Sequence, residues 1–176
     1  MIFTRTSIDG VVLVELEPSH DRRGFFARMY GVSEFSSQGL LPLVTEASVS
    51  FNARAATLRG LHYQADPHPE SKLVRCTTGA VFDVVVDLRP LSQTYCAWHG
   101  ETLTAANRVA LYVPPGCAHG FITLEDSTEL VYFMDESYHP DLARGVRWDD
   151  RAFGIKWPVE PRIMSERDST FADFAP

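Results

Sequence analysis

The segment Val81-Phe82-Asp83-Val84-Val85-Val86-Asp87 follows a two-residue repeat, with Val81, Asp83, Val85 and Asp87 on one face and Phe82, Val84 and Val86 on the other. Such a pattern predicts a β-strand over 80–87. Gly79 stands where a hairpin turn would join it to a preceding strand over Lys72–Thr77. Other short segments rich in β-branched and aromatic residues lie between turn residues and predict further strands: Val11–Leu16, Phe25–Tyr30, Thr57–Tyr63, Trp98–Leu103, Ala110–Val113, Gly120–Thr123 and Glu129–Met134. Helical periodicity is confined to about Val32–Gln38, which Gly39 closes. Many short strands at regular intervals with few helices predict an all-β sandwich or closed jelly-roll barrel.

Composition narrows the class. The 176 residues are 45% hydrophobic and 22% charged, without repeats or low-complexity tracts, and read as a single domain over 1–176. The formal net charge of −7 comes without a basic stripe, which argues against nucleic acid as a partner. It leaves room for a small anionic ligand held by a few local cations. The apolar run Val11–Val14 is broken by Glu15, too early for a membrane span and without the order of a signal peptide. Cys76, Cys96 and Cys117 are odd in number and lack metal-type spacing, so a reducing compartment, the cytoplasm, is expected.

Candidate chemistry lies in three places. In Leu58-Arg59-Gly60-Leu61-His62-Tyr63-Gln64, strict alternation would point His62 and Gln64 away from Arg59, but Gly60 permits a bulge that shifts the parity. His62 there is either a general base, since imidazole titrates near neutrality, or a core histidine bonded to backbone. The turn Val113-Pro114-Pro115-Gly116 delivers His119 into a following strand. His62 and His119 together invite a metal reading, since imidazoles on facing strands are common ligands, but Tyr63 and Gln64 follow His62 and no second histidine stands beside it. No metal is expected. Tyr132 and Tyr138 share parity and could line one cavity, as proton donor and stacking platform, or belong to the core. Lys72, Arg23 and Arg59, taken singly, read as solvent-facing cations.

Taken together, these segments resemble the dTDP-4-dehydrorhamnose 3,5-epimerase family. The resemblance rests on Asp21–Phe26, Leu58–Gln64, Lys72–Cys76, Gly79–Arg89, Pro115–Phe121, Tyr138–Pro140, Gly145–Asp150, Ile155–Pro158 and Ser165–Asp168, an ordered series over about residues 9 to 168. It implies a cupin-type β-jelly-roll and epimerisation of a nucleotide-linked 4-keto-6-deoxy sugar at C3, C5 or both, through an enolate. It implies His62 as base, Asp168 as the carboxylate orienting it, Tyr132 as the opposing proton donor and Lys72 as the cation near the C4 oxygen. Substrate contacts would come from Arg23, Arg59, Gln64, His119, Tyr138 and Asp83. A homodimer with a nucleotide-diphosphate sugar as substrate, and no metal or organic cofactor, completes the expectation.

Two stretches depart from the family pattern. Arg28 stands where a Glu is usual, and Ala47-Ser48-Val49 where a Gln-x-Asn segment is usual. Each changed hydrogen bond would alter recognition by about 1–3 kcal/mol. They keep open a single-site 3- or 5-epimerase, or another nucleotide such as GDP or CDP. A ketoisomerase, a non-catalytic sugar-nucleotide-binding cupin and a metal-dependent dioxygenase are the rival readings.

Overall fold

The structure, a computed structural model, describes residues 1–42 and 45–175. The chain forms β1 (Ile2–Arg5), β2 (Val12–Glu15), β3 (Ser19–Asp21), β4 (Gly24–Phe26), α1 (Val32–Ser37), β5 (Glu46–Asn52), β6 (Leu58–Gln64), β7 (Lys72–Thr78), β8 (Ala80–Asp87), β9 (Trp98–Thr104), β10 (Ala110–Val113), β11 (Cys117–Thr123), β12 (Thr128–Met134), β13 (Ala143–Gly145) and α2 (Glu166–Ser169). Two antiparallel sheets face each other, one ordered β1-β2-β10-β7-β12-β5 and the other β13-β6-β11-β8-β9, while β3 and β4 form a separate hairpin. This is a jelly-roll, as the strand pattern predicts, and of the cupin type that the family resemblance implies. Among the described residues, no helix is long and apolar enough to cross a membrane.

The core lies between the sheets. Val74, Leu111 and Leu130 of the larger sheet pack there against Val81, Val85 and Phe121 of the smaller, all at most 2% exposed. Removing these side chains from water is the main stabilising contribution, about 1.5–3 kcal/mol for each large aliphatic one. Each sheet also has a covered outer face. Phe35 of α1 closes the larger sheet over Val12, Val14 and Tyr112. Val146, Phe153 and Trp157 of the C-terminal segment close the smaller sheet over Leu61, Val84 and Val86. This double covering explains why β8 is apolar on both faces, its odd-numbered Asp83 and Asp87 being buried with hydrogen-bonding partners.

Sequence and structure differ at several elements. The strand predicted over Phe25–Tyr30 ends at Phe26, because hairpin β3–β4 pairs only three residues on each side. Four strands were not evident from the pattern: β1, β3, β5 and β13. In β5 the usual polarity is reversed, since Glu46, Ser48 and Ser50 line a cavity while Phe51 is 56% exposed and Val49, at the cavity's edge, is 63% exposed. A strand with polar residues turned inward carries no ordinary core signature.

The parity shift permitted at Gly60 is real. The β6–β11 register slips between the His119–His62 pair and the Phe121–Arg59 pair. Gly60 has φ +130°, and a Cβ there would come within 2.5 Å of the Gly120 Cα, so both strands require glycine where they meet. The slip brings Arg59 and His62 to the same cavity.

Candidate active site

A cavity opens between the two sheets. Its larger lobe, about 500 Å³, and its smaller lobe, about 320 Å³, share His62, Lys72, Tyr132 and Arg167 in their walls. His62 stands on β6 of the smaller sheet, whereas Lys72 opens β7 and Tyr132 lies on β12, both in the larger sheet. The cavity therefore has an imidazole on one wall and a phenol and an ammonium on the other.

His62 is held from behind. Its Nε2 lies 2.7 Å from Oδ1 of Asp168, while Oδ2 accepts the Gly60 backbone N–H at 3.2 Å. Asp168 occupies the third position of α2, whose start is capped by Ser165: the Asp168 N–H donates to the Ser165 hydroxyl at 3.1 Å. Burial acts to raise the Asp168 pKa, but the hydrogen bond and charge of His62, with Gly60 and Ser165, outweigh it and hold the carboxyl below its ordinary 3.8. Phe171 packs edge-on against the His62 ring, centroids 6.1 Å apart, and would collide with any Cβ at Gly145.

Tyr132 reaches the cavity but is otherwise enclosed by protein. That desolvation, with the nearby charge of Asp83, pushes its phenol well above the ordinary 10, only partly countered by Arg59. The phenol stays protonated at neutral pH and is available as a donor. Edge-on to Tyr132, at 5.9 Å between centroids, is His119, whose Nε2 meets both carboxylate oxygens of Asp83 at 2.8 and 3.0 Å.

Lys72 is the cation of the opposite wall, and its ammonium is 2.8 Å from Glu70 with both side chains mostly buried. Arg59 lines the larger lobe, its Nε donating to Asn52 at 2.7 Å. Tyr138, 58% exposed, stands at the rim of the smaller lobe.

Three residues expected to contact substrate are placed otherwise. Arg23 lies on the β3–β4 hairpin, outside both lobes, with its side chain 85% exposed and paired to Asp21. Gln64 borders the smaller lobe, but its amide is engaged by backbone: the nitrogen donates to the carbonyls of His68 (2.7 Å) and Ser137 (3.0 Å), and the oxygen accepts from His139 N–H (2.8 Å). Asp83 is fully buried behind His119 and positions that ring rather than facing the cavity. The departure at Arg28 is remote too, since its guanidinium pairs with Glu34 on the surface and neither lobe includes it. In the stretch Ala47-Ser48-Val49, Ser48 and Val49 line the smaller lobe and Ala47 does not.

Sequence alone does not mark the other cavity residues Glu46 and Ser50 of β5, Glu70, Arg144 and Arg167. A legible signal existed for Ser165-Glu166-Arg167-Asp168, a Ser followed three residues later by Asp, which is a helix-start pattern. The others sit in stretches whose polarity resembles ordinary surface.

The comparisons with known proteins agree with this geometry. The sequence model of the family described as dTDP-4-dehydrorhamnose 3,5-epimerase matches residues 5–175. A relative of that name from Methanothermobacter thermautotrophicus is 41% identical over 169 residues, covering 94% of this chain and 90% of its own. The crystal structure of dTDP-4-dehydrorhamnose 3,5-epimerase from Bacillus anthracis, with TDP and PPi bound, superposes with a TM-score of 0.93 at 38% identity, over 98% of this chain and 99% of that one. A dTDP-4-dehydrorhamnose 3-epimerase from Streptomyces niveus is 38% identical over 162 residues, covering 92% of this chain and 78% of its own. With the strand order, the cavity and its motifs in place along nearly the whole length, this chain belongs to the dTDP-4-dehydrorhamnose 3,5-epimerase family.

Proposed function

We propose that this protein is an isomerase that epimerises a dTDP-linked 4-keto-6-deoxy sugar at C3, C5 or both, in deoxysugar biosynthesis. The observation that carries the reading is the opposition of His62, backed by Asp168 at 2.7 Å, to Tyr132 and Lys72 across one cavity. A C–H bond next to a ketone is weakly acidic, and its removal requires stabilising the enolate oxygen that develops at C4. Lys72, held at 2.8 Å by Glu70, supplies a cation for that oxygen, and such a contact is worth about 3 kcal/mol in comparable oxyanion sites. His62 takes the proton from one face of the ring, and the neutral Tyr132 phenol returns one from the other. Solvent then exchanges the proton on His62 and restores that on Tyr132, so the enzyme is unchanged and only the configuration at carbon is inverted. Because the C4 ketone acidifies both C3 and C5, one site serves both carbons in turn.

Recognition is assigned to the remaining walls. Arg59 and Arg167 offer positive charge to the diphosphate, and Tyr138 at the rim offers an aromatic face to the base. His119 shapes the larger lobe beside Tyr132. The chemistry assigned to these residues calls for no metal or organic cofactor. A homodimer is the proposed assembly, supported by apolar surface a second copy would cover: Phe26 (79% exposed) on the hairpin and Val49 and Phe51 on edge strand β5. Exposed on that hairpin, Arg23 would then act in a partner's cavity rather than its own. Three free cysteines fit a reducing compartment, the cytoplasm.

The test is proton NMR of dTDP-4-keto-6-deoxyglucose with the protein in D₂O. Deuterium at C3 and C5 supports double epimerisation, and deuterium at one carbon a single-site enzyme, the activity named for the Streptomyces niveus relative. Absence of exchange with the dTDP sugar and its GDP and CDP analogues would sink the reading and favour a binding module.

A further inference from the structure

On the outer side of the smaller lobe, two loops bring together ligating side chains that line neither lobe. His68, Glu136 and His139 each present one nitrogen or carboxylate oxygen within 4.8 Å of the others. The Nδ1 of His68 is 3.3 Å from one Glu136 oxygen, and the Nε2 of His139 is 3.9 Å from the other. The two imidazoles stack with centroids 4.3 Å apart and planes 14° from parallel.

This grouping is built rather than incidental. Gln64, 2% exposed, ties both loops by backbone, bonding the His68 carbonyl, the Ser137 carbonyl and the His139 N–H. Alongside, the Ser71 N–H donates to Asp135 at 2.6 Å, and Ala65 N–H bonds the Leu142 carbonyl at 3.0 Å. Pro67 and Pro69 restrict one loop and Pro140 the other. The backbones that carry the three side chains are therefore fixed relative to one another, while the side chains themselves, 34–45% exposed, are open to an ion from solvent.

Two imidazoles and one carboxylate are the donor set of a borderline divalent ion of the zinc class. Calcium or magnesium would demand oxygen ligands that this group does not supply. In a tetrahedral site with metal–ligand distances of about 2.0–2.2 Å, neighbouring donors stand about 3.3–3.6 Å apart, so donors now within 4.8 Å of one another must draw together by at most about 1.5 Å. One imidazole must turn out of the stack, because each ring has to hold the ion in its own plane, and that is a side-chain rotation open to a partly exposed residue. Three protein ligands would leave the fourth position to water.

We propose that His68, Glu136 and His139 form a binding site for one divalent transition-metal ion, which clamps the loop of residues 65–71 to the loop of residues 135–142. The ion has no part in the proton transfers. It bonds the residues on both flanks of Ser137-Tyr138, and so restrains the segment that presents Tyr138 to the cavity rim.

The experiment uses the full chain without an affinity tag, treated with chelator, dialysed and titrated with zinc chloride in a calorimeter. One ion per chain is expected, with affinity falling on the order of a hundredfold in the His68→Ala/His139→Ala double variant. The His20→Ala variant, altered at a surface histidine of the hairpin, should bind as the parent does. Circular dichroism of the double variant checks that it folds. Amide hydrogen exchange supplies the second readout: zinc should slow exchange over residues 136–142 in the parent and leave it unchanged in the double variant. No zinc binding by the parent, or equal binding by the double variant, overturns the site. Binding without slowed exchange overturns the clamp. Neither readout involves sugar turnover, so failure here is separable from failure of the epimerase reading.

Discussion

Two histidine–carboxylate pairs stand side by side on adjacent strands, and they are built for different work. His62 of β6 and His119 of β11 are direct cross-strand partners, and their Nε2 atoms lie 2.7 and 2.8 Å from Asp168 and Asp83 respectively. Exposure separates them: the His62 side chain is 38% exposed toward the cavity, the His119 side chain 5%. Asp83 turns both oxygens to His119, whereas Asp168 gives one to His62 and one to the Gly60 backbone. The first pair leaves an imidazole free to meet a substrate atom; the second is sealed and braces the wall beside Tyr132. A short His–Asp distance does not by itself make a ring available to a substrate; what separates the two pairs is which face of the ring remains open.

Variants can break this comparison, beginning with the largest effect. Replacing His62 by Ala should lower epimerisation on the order of a thousandfold, the worth of a positioned general base, with a smaller fall in thermal stability than the sealed pair would show, because the ring is partly exposed and Asp168 keeps the Gly60 N–H. Sugar NMR and a melting curve read the two quantities. Next is Asp168→Asn, which keeps shape but removes the charge behind His62; about a hundredfold loss of kcat is expected, from a misassigned ring tautomer.

For His119→Ala the expectation reverses. Removing one partner of a buried pair leaves Asp83 uncompensated, at about 3 kcal/mol or more, a fall in Tm of roughly 6–12 °C for a chain of this size. Its kcat should fall much less than that of His62→Ala. An unchanged melting temperature with a His62-like loss of activity would collapse the distinction between the pairs.

The smallest effect concerns pH. Since the Asp168 carboxyl is held below its ordinary 3.8 in the fold, the unfolded chain takes up its proton first as pH drops. The stability it contributes is fully present above about pH 4 and disappears as pH falls through the lower folded value. Chemical denaturation from pH 6 to pH 3 should show the parent losing this increment and Asp168→Asn lacking it.

Much of this was legible in the residues. The alternation in Ala80–Asp87 marked Asp83 as sharing a face with core valines, and the structure buries it there. The glycine in Arg59-Gly60-Leu61-His62 flagged the parity break that brings Arg59 and His62 into one cavity. By contrast, β5 carries no strand signature because its inward face is polar, and the Gln64 amide, expected to meet substrate, is occupied by backbone from two loops. Arg23, beside a family motif, is held away from the cavity of its own chain by a hairpin whose position sequence spacing does not encode.

By itself, then, the sequence determined the all-β jelly-roll and the family, because strand alternation, turn residues and ordered motifs are local properties of the chain. Only the tertiary structure decided which histidine keeps its ring open to the cavity, that Lys72 is paired with Glu70, and that His68, Glu136 and His139 converge. Those outcomes depend on strand register, sheet pairing and burial. They arise between residues far apart in the chain, where no local pattern reaches.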